Sequence, residues 1–234
     1  GLVSPMKTRA PAIAALLCLT VSGCATTTAG IATPAADAPL TTAETLPSLL
    51  LSASGIGSAL SGTDMVVTRD VAEPWDDSAR LTEGPGCLAV AGAAQRGVYA
   101  DTGWTAMHGQ VLREPPTAQW SHFATQAVVL FPNAAAAGEF FTRSRDSWAG
   151  CSNRDLGYPQ PLGPEQLWSI GPVGLERDIL SVSRVQRGPQ SWSCQRALTV
   201  HGNVAVDVEA CSLDGPTAAA TAIAGAIADR LPTS

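Results

Sequence analysis

The chain has 234 residues, a formal charge of −6, and no more than 15% charged residues. Its single lysine, Lys7, stands near the start, so from residue 24 onward twelve arginines face twenty Asp and Glu, a formal charge of −8. Such a balance excludes the basic footprint that nucleic-acid binding needs, and an anionic membrane surface would repel it.

The first element in chain order is a targeting segment. Met6-Lys7-Thr8-Arg9 is a basic start, and the apolar run from Ala12 to Val21 is too short to span a bilayer. Val21-Ser22-Gly23-Cys24 then resembles the lipobox of bacterial lipoproteins, where small residues admit the signal peptidase and the cysteine sulfur takes a diacylglycerol. Residues 1–23 are therefore expected to be a signal peptide with a short extension. Cys24 is the expected lipidation site, and the location is the outer face of the cell membrane. Residues 24–45, small, Thr-rich and Pro-containing, cannot bury enough apolar surface to repay their ordering and read as a tether. The folded domain is expected over 46–234.

Within that domain a helix is predicted over 46–61, burying Leu49, Leu50, Ile56 and Leu60. Residues 68–86 have no period and read as a long loop, with Trp75 a plug on the core or an exposed contact. Gly86–Ala94 is a candidate short helix. Strands are predicted over 104–115 and 123–131. Asn133 is a good N-cap for a helix over 134–149 with Ala137, Phe141 and Trp148 near one stripe. Further strands follow over 167–171 and 178–188, and Pro216 is placed to open a last helix over 216–231.

Between those strands and that helix lies the most informative segment, "SWSCQRALTVHGNVAVDVEACS", residues 191–212. Gly202-Asn203 suits a two-residue hairpin turn of type I′ or II′ between strands 192–200 and 204–211. That register sets His201 opposite Val204 and, continuing outward, Cys194 opposite Cys211 in a non-hydrogen-bonded pair, where Cα atoms approach to about 4.5 Å. A disulfide there closes a loop worth roughly 3 kcal/mol in the chain-entropy model. Of the six cysteines, Cys18 leaves with the signal and Cys24 takes lipid, so Cys87 and Cys151 pair by elimination, a closure worth about 4 kcal/mol. One hairpin face, with Ala197, Thr199, Val204, Val206, Val208 and Ala210, should meet the core. The other carries Arg196 opposite Glu209, either a structural cross-strand pair or the lining of a concavity. The sum is an α+β fold: a twisted, mostly antiparallel sheet of about six strands, helices on one side, the other side wet or grooved.

The stretches "GVYADTGWTAMHGQVLREP", "FATQAVVLFPNAAAAGEFFTRSRDSWAGC" and "SWSCQRALTVHGNVAVDVEAC" occur in this order, and together they resemble the extracellular sensor domains of the mycobacterial PknH-like kinase family. They are equally similar to the lipoproteins and secreted proteins that carry such a domain without a kinase. The resemblance spans about residues 46–231. It implies a twisted antiparallel sheet, the same two disulfides, and a V-shaped polar cleft for an unidentified signal molecule.

No G-x-S-x-G, H-E-x-x-H or P-loop is present, and His108, His122 and His201 are not spaced as ligands. No catalytic residue, metal or cofactor is expected. The expectation is a non-catalytic envelope lipoprotein that binds a small molecule or lipid on the sheet, as sensor accessory or carrier. The alternative is a scaffold for an envelope protein partner. Candidate ligand contacts are Tyr99, Trp104, Arg113, Gln126, Arg184, Arg196 and Glu209.

Overall fold

Local rules account for the best-formed elements. Asn133 accepts a hydrogen bond from the Ala136 amide at 2.9 Å and opens a 16-residue helix, Ala134–Ala149, that buries Ala137, Phe140, Ser144 and Trp148. The hairpin Ser193–His201 and Val204–Ser212 pairs in the expected register, from His201 opposite Val204 to Cys194 opposite Cys211. Gly202 takes φ +54° while Asn203 stays out of the positive region, as in a II′ turn. Cys194–Cys211 is a disulfide with Cα atoms 4.0 Å apart, and Cys87–Cys151 is the second, at 5.7 Å.

The computed structural model describes residues 39–75, 81–82, 85–115, 119–189 and 191–232. The expected signal with Cys18, the expected lipidation site Cys24 and most of the expected tether lie outside the described residues. Among the described residues no helix is long and apolar enough to cross a membrane.

The sheet has nine strands rather than about six, all paired antiparallel. They are β1 (Val66–Val71), β2 (Ala106–Arg113), β3 (His122–Leu130), β4 (Asp155–Tyr158), β5 (Gln166–Ile170), β6 (Gly174–Glu176), β7 (Ile179–Gln186) and the hairpin strands β8 and β9. The order is β1-β2-β3-β9-β8-β7-β5-β4, with β6 on β7. The three strands absent from the sequence reading share a cause. β1 is an edge strand exposed at all but its last residue, so no alternation marks it, and β4 and β6 are only four and three residues long.

Helices also deviate at their ends. The predicted helix over 46–61 is two, α1 (Leu46–Leu49) and α2 (Ala53–Ala59), because Leu50 is extended and Ser52 caps the second by accepting from Gly55. Gly57 is required there: a Cβ would lie 2.0 Å from the Thr63 carbonyl oxygen. Gly86–Ala94 yields a 3-10 turn at Pro85–Cys87 and the short α3, Leu88–Ala91. A further turn, α4, spans Arg96–Tyr99; the Asn133-capped helix is α5. The last helix, α6, begins at Ala219 and ends at Ala228, not at Pro216 and Leu231.

The largest correction concerns layers. On one face, α1, α2 and α6 bury Ile56, Leu60, Ile223 and Ile227 against Val128, Val206 and Val208. The opposite face is roofed as well, by α3, α4 and α5, with Val90, Tyr99, Phe140 and Trp148 against Leu198, Val129 and Val182. The second side is therefore roofed over most of its area rather than wet, and the helices sit on both sides of the sheet.

Candidate binding site

Four charged side chains stand on the roofed polar face. Arg184 (β7), Arg196 (β8), Asp207 and Glu209 (both β9) are each no more than 6% exposed. Arg196 lies opposite Glu209 in the ladder, yet its ion pair is the diagonal one, Nη2 to Asp207 Oδ1 at 2.7 Å. Glu209 pairs instead with Arg184, at 2.5 Å, from the strand on the other side of β8. Charges this deeply buried are tolerated only when their remaining valences are filled. They are filled by the backbone of residues 89–94. The Ala89 carbonyl accepts from Arg196 Nε and Nη2, the Val90 carbonyl accepts from Arg184 Nη1, and the Ala93 and Ala94 amides donate to Glu209 and Asp207. Helix α3 is a single turn with unpaired carbonyls at its end, and the two guanidiniums supply the missing donors.

Tyr99 completes the set. Its hydroxyl donates to Asp207 at 2.8 Å, and burial, followed by the neighbouring Asp207 charge, pushes its pKa well above the ordinary tyrosine value. Trp148 lies under the Arg196 guanidinium, 5.1 Å from Cζ to ring centroid. The four candidates Tyr99, Arg184, Arg196 and Glu209 thus converge, but on each other and on residues 89–94. Arg196 and Glu209 are both in buried ion pairs, but with Asp207 and Arg184 rather than with each other.

The other candidates are scattered. Gln126 sits on the opposite face, where its amide bonds the Leu51 backbone in both directions and Gln110. Trp104 packs half-buried against the α3–α5 cluster. Arg113 lies at the far end of β2, its guanidinium 5.7 Å from the Trp120 ring centroid.

The fastened segment positions a surface site. The carbonyl of Ala94, whose own amide donates to Asp207, accepts from the Trp75 amide, and the Trp75 carbonyl accepts from the Arg96 amide. Trp75 lies over Gly109 of β2; a Cβ there would meet the indole at 3.0 Å. The half-buried indole is at once a plug on the sheet and the wall of a concavity of about 560 Å³, whose other members are Arg69, Val71, Ala72, Glu73, Pro74 and Arg96. Three further concavities are smaller, at about 300, 310 and 360 Å³. Arg96 and Glu73 are 4.0 Å apart and largely exposed, so this pair contributes little and leaves both arginines available. An aromatic wall, two guanidiniums and a short apolar floor suit an anion with an apolar body. Arg69, Trp75 and Arg96 were not grouped by the sequence reading, and no spacing signal joins them, since they meet only through β1 and the 94–96 backbone.

At the opposite end of β2 and β3, the buried His122 places Nδ1 3.1 Å from Glu114 and Nε2 3.1 Å from Asp214. Burial pushes the Glu114 carboxyl up, but hydrogen bonds from the Ser121 and His122 amides and the His122 ring outweigh it and hold the pKa below the ordinary value. One group of metal-ligand type, Cys194, Glu209 and Cys211, is compact and buried, but both its sulfurs are in the disulfide and Glu209 is held by Arg184.

A nine-stranded antiparallel sheet roofed on both sides, stapled by two disulfides, defines an extracytoplasmic α+β domain. The chain belongs to the PknH-like extracellular domain family, whose model matches residues 41–230. It is 32% identical over 188 residues to the serine/threonine-protein kinase PknH of Mycobacterium bovis, covering 80% of this chain and 31% of the kinase. It is also 32% identical over 168 residues to PknH of Mycobacterium tuberculosis H37Rv, covering 72% of this chain and 26% of the kinase. The chain thus spans about a third or less of the curated kinases it matches. The crystal structure of the extracellular domain of PknH from Mycobacterium tuberculosis superposes with a TM-score of 0.74 at 32% identity, covering 82% of this chain and 97% of that one. The matched region is the extracellular, non-catalytic part of the kinase, and the fold accordingly belongs to the cell envelope or its exterior.

Proposed function

We propose that this protein is a non-catalytic lipoprotein of the cell envelope, anchored through Cys24, that takes an anionic small molecule or lipid headgroup beside Trp75. It would act as a sensor accessory or a carrier, handing its state to a separate protein. The observation that supports this reading is the concavity of about 560 Å³ in which Arg69 and Arg96 flank an aromatic wall, on a chain otherwise rich in acid. The buried quartet supports it too: it holds residues 89–94, and through Ala94 the indole, in a fixed place. A site whose geometry is set before the ligand arrives loses less free energy on binding.

The test is native mass spectrometry of the full-length protein extracted gently from its own envelope. A co-purifying anionic species at one per chain, absent from the Arg69→Gln/Arg96→Gln double variant, is the expected result. Retention of the same species by the double variant, or protein that is consistently empty but carries a stable protein partner, would overturn it. The intact mass in the same experiment reports whether Cys24 carries acyl chains.

A further inference from the structure

The polar face of the sheet is roofed by helices except at one end. There a single row crosses five strands: Arg113 on β2, Phe123 on β3, Cys211 on β9, Cys194 on β8 and Arg184 on β7. The cover over this row is aromatic. Trp168 and the disulfide are buried, with Phe123, Tyr158 and Trp192 half-exposed around them. Trp120 joins them, its ring centroid 5.2 Å from Trp192 and 5.7 Å from Phe123. Three of the six tryptophans of the chain are thereby gathered around one disulfide. No Leu, Ile, Val or Met belongs to this cluster among the described residues.

Trp120 also borders a concavity of about 310 Å³, whose lining includes the hydrogen-bonding groups of Thr63, Asp64, Gln119 and Ser121. Arg113, stacked on Trp120, has a buried Nε with no hydrogen-bond partner among the described residues.

From this juxtaposition we propose a second binding site, for a neutral glycan chain, on the aromatic rim around Cys194–Cys211. The proposal is independent of the Trp75 site. The negative face of an indole attracts the polarised C–H groups along one side of a sugar ring, while the same ring's hydroxyls need donors and acceptors at its edge. The rim supplies flat aromatic faces, and the concavity supplies a carboxylate, an amide and hydroxyls. Arg113 backs the Trp120 ring of this rim, its guanidinium 5.7 Å from the ring centroid. A protein partner would call for an extended contact of about 800 Å² per side with a desolvated core and polar groups at the edge. Here the aromatic rings instead abut a small polar hollow.

The experiment titrates the full chain with hexasaccharides of chitin, cellulose and mannan, read by tryptophan fluorescence and calorimetry. Saturable binding of at least one probe, weakened about tenfold or more by Trp120→Ala and by Trp192→Ala but largely kept by Trp120→Phe, is the expected result. Should either alanine variant melt early, Arg113→Gln with Gln119→Ala replaces it, and a similar loss is expected. Absence of saturable binding to all three probes, or binding that the Trp120 and Trp192 variants leave intact, would overturn the proposal. So would recovery of a stoichiometric protein partner that Trp120→Ala releases.

Discussion

The two faces of the β8–β9 hairpin are one residue apart in sequence and solve different problems. Val204, Val206 and Val208 meet α6 and the N-terminal helices across an apolar layer, where contact is non-directional and energy follows buried area. Asp207 and Glu209, interleaved with them, meet α3 and α4 through paired charges that accept only one arrangement of the 89–94 backbone. The first face is an economical source of stability. The second costs desolvation and returns position, and position is what the Trp75 concavity needs.

Breaking the polar face with a single change should cost most. Asp207→Ala leaves Arg196 buried without its ion-pair partner and should lower stability by about 3–5 kcal/mol in urea unfolding. The double change Arg196→Met/Asp207→Leu should recover much of that loss while loosening Trp75, seen as faster hydrogen exchange of the Trp75 amide that bonds Ala94. If the double variant keeps Trp75 as rigid as the parent, the face contributes no positioning. Removing the staple on the same face, Cys194→Ser with Cys211→Ser, should cost about 3 kcal/mol by the chain-entropy model, less if the flanking ladder already holds the hairpin in register. On the apolar face, Ile227→Val at a fully buried position should cost about 1 kcal/mol and leave exchange of the Trp75 amide unchanged. That contrast, small cost without displacement against large cost with it, is the sharpest form of the comparison.

The smallest expected effect is on pH. Because the Glu114 carboxyl titrates lower in the folded chain than in the unfolded one, it adds stability above the unfolded value of about 4.3, which is lost as pH falls through its folded value. Glu114→Gln should flatten the acid limb of stability by less than about 1 kcal/mol. An unchanged limb in urea melts between about pH 6 and pH 3 would remove Glu114 from the acid response.

How much was readable follows the range of the interaction. Asn133, the Gly202-Asn203 turn and the Cys194–Cys211 register are local, each decided by residues within one helix or hairpin. β1 was not readable, because a strand exposed on both faces carries no alternation. Arg184 is a candidate ligand contact in the sequence, but its partnership with Glu209 depends on β7 lying beside β8, which no spacing announces. Arg196 and Glu209 were correctly placed opposite each other and still chose other partners, since the ladder sets Cα neighbours and long side chains reach diagonally. Asn203, read only as a turn residue, also bonds Thr41 in both directions and ties the start of the fold to the hairpin.

By itself the sequence determined the α+β class, the hairpin register and the Cys194–Cys211 pairing, because these rest on periodicity, turn chemistry and spacing along continuous stretches; Cys87–Cys151 followed by elimination, and the family by the resemblance of three stretches in order. Only the tertiary structure decided that both faces are roofed, which charges pair, and where the surface concavities lie. Those depend on which segments, remote in the chain, come to share the same few ångströms.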